Sequence, residues 1–173
     1  EDLETIKTEI ILSDLDIVQK KLEKGKKKML QEKEVKILDE KLRQLNEGKE
    51  VTIEDENEKK FLTTLGLLTI KPKIIVCNVD EESLVKGNAF TESIKKKYSN
   101  EKIVTICADI EDQIMGLDKN ERETFMKEIG LNKTGLNQLI KEGYDLLNLD
   151  TFFTSGPEES RAWTVEKNTL APK

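Results

Sequence analysis

Four β-favouring apolar residues, Ile74 to Cys77, run directly into Asn78-Val79-Asp80-Glu81 and then into a segment patterned as a helix to about Tyr98. A short apolar run that is bounded by turn formers and answered by a helix is the repeating piece of a parallel sheet. Ile103 to Cys107 supplies a second run, so the stretch predicts a βαβ unit with a right-handed crossover. A strand of this kind delivers Asn78 and Glu81 to the carboxyl edge of its sheet, where open α/β folds bind ligands. Downstream, residues 121–129 and 135–147 read as helices. Thr151 to Thr154 and Arg161 to Val165 read as strands around a Ser155-Gly156-Pro157 turn that opens a further β-rich piece. Phe152, Phe153, Trp163 and Tyr144 read as core residues there.

The first third of the chain has a different period. Ile11, Leu15, Val18, Leu22 and Met29 step by threes, fours and one longer interval, and Val35, Leu38, Leu42 and Leu45 step similarly after a polar interval. Two helices with one narrow apolar seam each predict an antiparallel α-hairpin that packs as a short coiled coil. Its turn falls within residues 26–33, and Gly48 marks the end of the second helix. Thr52-Ile53-Glu54-Asp55 is a capping signal for a short third helix carrying Phe61, Leu62 and Leu65. From Lys20 to Lys36 there are eight lysines against three glutamates in a chain whose net charge is −6. A cationic tip on an acidic protein attracts phosphate backbones without reading sequence. A solvated, solubilising turn is the plainer reading of the same lysines.

Composition removes several functions. The chain has no His and only two Cys, Cys77 and Cys107, each at a strand end and each expected to be a reduced core thiol. A zinc site is not expected. No apolar run approaches the roughly 20 residues that cross a bilayer, and the expected compartment is the cytoplasm. Guanine-reading loops of P-loop proteins carry Asn-Lys-x-Asp at the position of Asn78-Val79-Asp80-Glu81. Their Asp accepts from N1–H and the 2-amino group of guanine, whereas adenine has no 2-amino group and its N1 is an acceptor. Val79 in place of Lys and the longer Glu81 in place of Asp point away from strict guanine selection. The adenine 6-amino group is left to the Asn78 side chain or to backbone carbonyls. A Gly-x-x-x-x-Gly-Lys-Ser/Thr phosphate loop is missing from the sequence. The chain also begins without Met, inside a periodic segment, so a fragment of a longer protein is expected.

Glu4-Thr-Ile-Lys-Thr-Glu-Ile-Ile-Leu-Ser-Asp-Leu15, Leu65-Gly-Leu-Leu-Thr-Ile-Lys-Pro72, Asn78-Val-Asp-Glu81, Phe152-Phe-Thr-Ser-Gly156 and Arg161-Ala-Trp-Thr164 occur in that order. This ordered set resembles the YchF, or Obg-like ATPase, family of P-loop proteins over nearly the entire chain. The resemblance implies an α/β fold with an inserted helical domain. Residues 1–70 would be the coiled-coil hairpin, 71–150 the later part of the P-loop nucleotide-binding sheet, and 151–173 the start of a β-rich TGS domain.

It further implies an ATPase that can also handle GTP and that associates with the ribosome through its large subunit or ribosomal RNA. ATP with Mg2+ would be the cofactor of the intact protein. Asn78, Val79, Asp80 and Glu81 would form the base-recognition loop, with Cys107 and Ala108 in the following loop beside the base. Lys24, Lys26, Lys27 and Lys28 would face RNA. Neither catalytic nor metal-binding residues are assigned within the chain, and ATP is not expected to bind it tightly without the phosphate half. A sheet of two strands would leave an edge for the missing half of the nucleotide-binding domain to cover. The alternative is a non-enzymatic helical module that docks a protein partner or RNA, with the βαβ unit as scaffold.

Overall fold

The computed structural model describes residues 2–25 and 30–170, which form two units parting between Lys71 and Pro72. Lys26, Lys27, Lys28 and Met29 lie outside the described residues.

In the first unit α1 (Asp2–Gly25), α2 (Glu32–Asn46) and the short α3 (Glu56–Thr63) enclose one core. Ile11, Val18 and Leu22 of α1 and Leu38 and Leu45 of α2 are buried together with Val51, Leu62 and Leu67, and Leu15, Val35 and Leu42 pack against them. Apart from Met29, which lies outside the described residues, the predicted seam residues pack together. The cap of α3 is Asp55 alone, whose carboxylate accepts the Asn57 and Glu58 N–H groups at 2.8 Å each. Thr52 instead pairs with the Gln44 side chain.

Each long helix also places one polar residue inside the seam, at matching steps: Asp14 between Ile11 and Val18, Lys41 between Leu38 and Leu45. Both side chains are fully buried. Asp14 accepts the N–H groups of Leu68 (2.7 Å) and Thr69 (2.8 Å) and the Thr69 hydroxyl (2.6 Å). Lys41 Nζ lies 2.6 Å from Glu58 Oε1 and 3.1 Å from Glu40 Oε1. The other Glu58 oxygen accepts the Glu54 N–H at 2.9 Å. Burial draws the Lys41 pKa down, but hydrogen bonds to Glu58 and Glu40 and their negative charges outweigh it and leave the pKa above the ordinary lysine value. These polar groups fasten the segments that follow the hairpin to its core. Polar seam residues of this kind fix register at some cost in stability.

In the second unit β1 (Ile74–Asn78) pairs in parallel with β2 (Lys102–Ile106), in register from Ile74 opposite Lys102 to Asn78 opposite Ile106. The crossover is two helices, α4 (Glu81–Lys86) and α5 (Ala89–Lys97), rather than the single helix expected over 81–98. Gly87 at φ +75° ends α4, and the Asn88 side chain caps α5 through the Thr91 N–H at 2.8 Å. Three helices follow: α6 (Ala108–Gly116), α7 (Lys119–Glu128) and α8 (Gly135–Leu146). Cys107, Ile110 and Ile114 are buried among Leu84, Phe125, Met126, Ile129 and Leu131. Lys102 is tied to Glu142 of α8 at 2.8 Å. Helix α6 was not expected: the resemblance places Cys107 and Ala108 in a loop, and no helix is predicted between the second strand and residue 121.

An antiparallel ribbon, β3 (Leu149–Ser155) and β4 (Ser160–Glu166), completes the described fold. Its aromatics correct their reading as core: Phe152, Phe153 and Trp163 are 45%, 77% and 44% exposed, and Tyr144 is half-buried with its hydroxyl 3.4 Å from Thr164. A two-stranded ribbon offers no second layer to cover such side chains. Among the described residues no helix is long and apolar enough to cross a membrane.

Removing one partner of a buried ion pair strands the other charge, so Lys41→Met should cost about 3–5 kcal/mol in urea unfolding of this chain. The double variant Lys41→Met with Glu58→Leu should recover most of that loss. Because the folded-state pKa of Lys41 is raised, the pair's contribution is fully present below the unfolded value near 10.5 and is lost as pH rises through the folded value. Stability measured from pH 9 to 12 should therefore fall more steeply in the wild type than in the double variant.

Candidate functional site

The carboxyl edge of the parallel pair brings two loops together. At the end of β1 the Asn78 side chain is exposed, and its Oδ1 accepts the Ala108 N–H at 3.0 Å. One residue on, the Val79 N–H donates to the Ile106 carbonyl at 2.9 Å. These two bonds join the loop after β1 to the loop after β2. Since the donor at Ala108 is a backbone N–H, the amide atom facing it must be oxygen. The two Nδ2 hydrogens of Asn78 therefore remain as donors at an exposed position.

Asp80 acts structurally. Its carboxylate caps α4 through the Ser83 N–H at 2.7 Å, and bonding to the Ser83 backbone and hydroxyl holds its pKa below the ordinary carboxylate range. Glu81 opens α4 with its carboxylate exposed, and the Gln113 amide of α6 donates to it at 3.2 Å. A second polar link thus runs between the two loops. Gln113 was not singled out from the sequence, because it stands 32 positions away in an unremarkable helical segment.

Cys107 and Ala108 form the N-cap and first residue of α6. Ala108 is exposed, but Cys107 is fully buried and packed in the core, so it presents no accessible surface beside Ala108. Cys77 is also buried, and burial pushes its thiol pKa up. Neither thiol is offered to solvent.

In the other unit Lys24 is exposed in the last turn of α1. Nearby lysines pair with acids one turn away: Lys20 with Asp16 at 2.6 Å and Lys36 with Glu32 at 2.9 Å. Exposed pairs of this sort stabilise little. Among the described residues no group of three His, Cys, Asp or Glu side chains is placed to hold a metal ion.

No family model matches the chain. Proteins named ribosome-binding ATPase YchF do: that of Escherichia coli O157:H7 is 37% identical over 184 residues, covering 100% of this chain and 50% of that protein. That of Bacillus subtilis is 36% identical over 184 residues with the same coverage, and that of Mycoplasma genitalium 37% over 188 residues, covering 99% and 50%. In three dimensions the Schizosaccharomyces pombe YchF GTPase superposes with a TM-score of 0.82 at 25% identity, over 98% of this chain and 50% of that one. The helices and the small parallel and antiparallel sheets are shared with that structure. Matched from end to end by proteins of one name in both sequence and fold, the chain belongs to the YchF family and spans about half the length of those relatives.

Proposed function

We propose that this chain supplies the base-recognition rim and the helical contact domain of a ribosome-associated, cytoplasmic ATPase that also accepts GTP. The observation that carries the reading is the pair of bonds joining Asn78 to Ala108 and Val79 to Ile106 at the strand ends. They close two loops into one polar rim at the place where an open α/β sheet binds its ligand. With Oδ1 engaged by Ala108, the Nδ2 hydrogens of Asn78 suit a purine acceptor such as N7. The Val79 and Ala108 backbones flank the base edge, and Glu81, one methylene longer than a guanine-reading Asp and engaged by Gln113, does not select guanine strictly. Cys107, wholly buried, supports Ala108 from the core and does not meet the base itself.

ATP with Mg2+ is the ligand of the intact protein under this reading. The sequence contains no Gly-x-x-x-x-Gly-Lys-Ser/Thr loop, so nothing in it cradles the phosphates and their metal. This chain by itself is expected to bind adenine weakly and to leave ATP unhydrolysed. Residues 72–150 would belong to a P-loop sheet whose other strands come from the remaining half of the nucleotide-binding domain. The β3–β4 ribbon would begin a TGS domain, whose further strands would cover Phe152 and Trp163. The hairpin, with Lys24 exposed and Lys26, Lys27 and Lys28 following it, would meet ribosomal RNA of the large subunit.

The reading is tested in the E. coli O157:H7 relative with this sequence replacing its matching half. ATP should bind more tightly than GTP in equilibrium titration, and Asn78→Ala should weaken ATP by about tenfold. Val79→Lys combined with Glu81→Asp should move the ATP-to-GTP ratio about tenfold toward GTP. A GTP preference in the unmodified chimera, or no nucleotide binding, sinks the assignment. For the contact domain, changing Lys24, Lys26, Lys27 and Lys28 to Glu should weaken binding to large ribosomal subunits. The log–log salt slope should flatten by roughly 0.7–0.9 for each phosphate that the lysines no longer neutralise. Identical slopes would leave these lysines as a solubilising turn.

A further inference from the structure

We infer that Glu111 is a positioning residue for the base-facing edge, holding the first turn of α6 so that the Ala108 N–H stays on Asn78. The inference rests on the reading of that edge as the purine rim. Helix α6 starts without a side-chain cap, because its N-cap residue is the buried Cys107. The Ala108 N–H is instead satisfied across the sheet edge by Asn78. Whether it remains there depends on how the first turn of α6 is held.

Glu111, one turn after Ala108, reaches out of α6 to the start of α8. One carboxylate oxygen accepts the Gly135 N–H at 2.6 Å and the other the Leu136 N–H at 3.2 Å. Thr134 takes the next donor, the Asn137 N–H, at 3.1 Å. A carboxylate at the positive end of a helix, bonded to two of its otherwise unpaired N–H groups, is a charge-assisted tie. A hollow of about 310 Å3 lies between Ala108 and Met115 of α6 and Leu136 and Leu139 of α8, with Ile106 at its inner wall. The polar tie borders this hollow, in which Glu111 is itself a lining residue.

Gly135 makes the close approach feasible. A Cβ there would lie 2.6 Å from Ile106 Cγ2 and 3.0 Å from the Glu111 oxygen that Gly135 now donates to. Ile106 is the residue whose carbonyl receives the Val79 N–H. The start of α8 thus bears on both loops of the rim, through Ile106 on one and through Glu111 and α6 on the other. Glu111 touches no base in this arrangement; it acts through Ala108.

Hydrogen exchange of single amides in this chain, followed by NMR, reads the tie directly. Glu111→Ala should speed exchange at Ala108 about tenfold with Val104 in β2 unchanged, Glu111→Gln should restore part of the protection, and Gly135→Ala should act like Glu111→Ala. In the chimera with the E. coli relative, Glu111→Ala should weaken ATP binding about tenfold while leaving the rate at saturating ATP unchanged. Unaltered exchange at Ala108, or a uniform rise that includes Val104, overturns the inference. Faster exchange with normal ATP affinity overturns it as well if Asn78→Ala weakens ATP. If Asn78→Ala also leaves ATP binding intact, the purine-rim reading itself fails.

Discussion

A backbone N–H at the start of a helix needs an acceptor, and for Ala108 that acceptor is a side chain thirty residues earlier in the chain. This bond joins the end of one strand to the beginning of the helix after the next. Together with the Val79 donation to Ile106 it turns two separate loops into a single edge. The rest of the second unit supports that edge. The parallel register ends with Asn78 opposite Ile106, Asp80 caps the helix that follows one loop, and the carboxylate of Glu111 ties the helix that follows the other. An amide suits the Asn78 position because its oxygen can satisfy the helix while its nitrogen still has hydrogens to give. A carboxylate there would accept but could not donate.

The first unit solves a different problem by similar means. A hairpin with narrow apolar seams has limited means of setting the path of the chain that leaves it. Asp14 and Lys41, placed at matching steps in the two seams, each capture a later segment: Asp14 the backbone at Leu68 and Thr69, Lys41 the carboxylate of Glu58 on α3. Burying a charge is costly unless its partners are present and well placed. The arrangement therefore trades some stability for a defined course from the hairpin through α3 to Thr69. The hydrophobic residues around it would tolerate more than one arrangement of the same segments.

Much of the architecture was legible because it depends on local period and local turn chemistry. Stepping by threes and fours from Ile11 to Leu45 marks the hairpin, the apolar runs at Ile74 and Ile103 mark the strands, and Gly48 marks a helix end. Where the reading failed, the deciding partner lay elsewhere. Gly87-Asn88 divides a helix that the apolar pattern carries through, since a positive φ and a new cap outweigh continued helical composition. Helix α6 escapes the sequence reading because its first donor is satisfied by Asn78 and not by a local cap. Phe152, Phe153 and Trp163 have core chemistry but stand on a ribbon with no facing layer among the described residues. Polar residues inside an apolar seam, such as Asp14 and Lys41, look like surface positions until their distant partners are known.

The sequence by itself determined both strand pairs and the two long helices, because periodicity and backbone propensity are properties of neighbouring residues. It also determined that the first strand ends on an amide, Asn78, with the acid Glu81 three residues on. Only the tertiary structure decided that the Asn78 oxygen faces Ala108, that the Cys107 thiol turns inward, and that α6 bonds Glu81 through Gln113 and the start of α8 through Glu111. The bonds that set the rim join residues 24 to 32 positions apart. A hydrogen bond is sensitive to distances of tenths of an ångström, and such distances arise only when the strands, helices and loops are packed together.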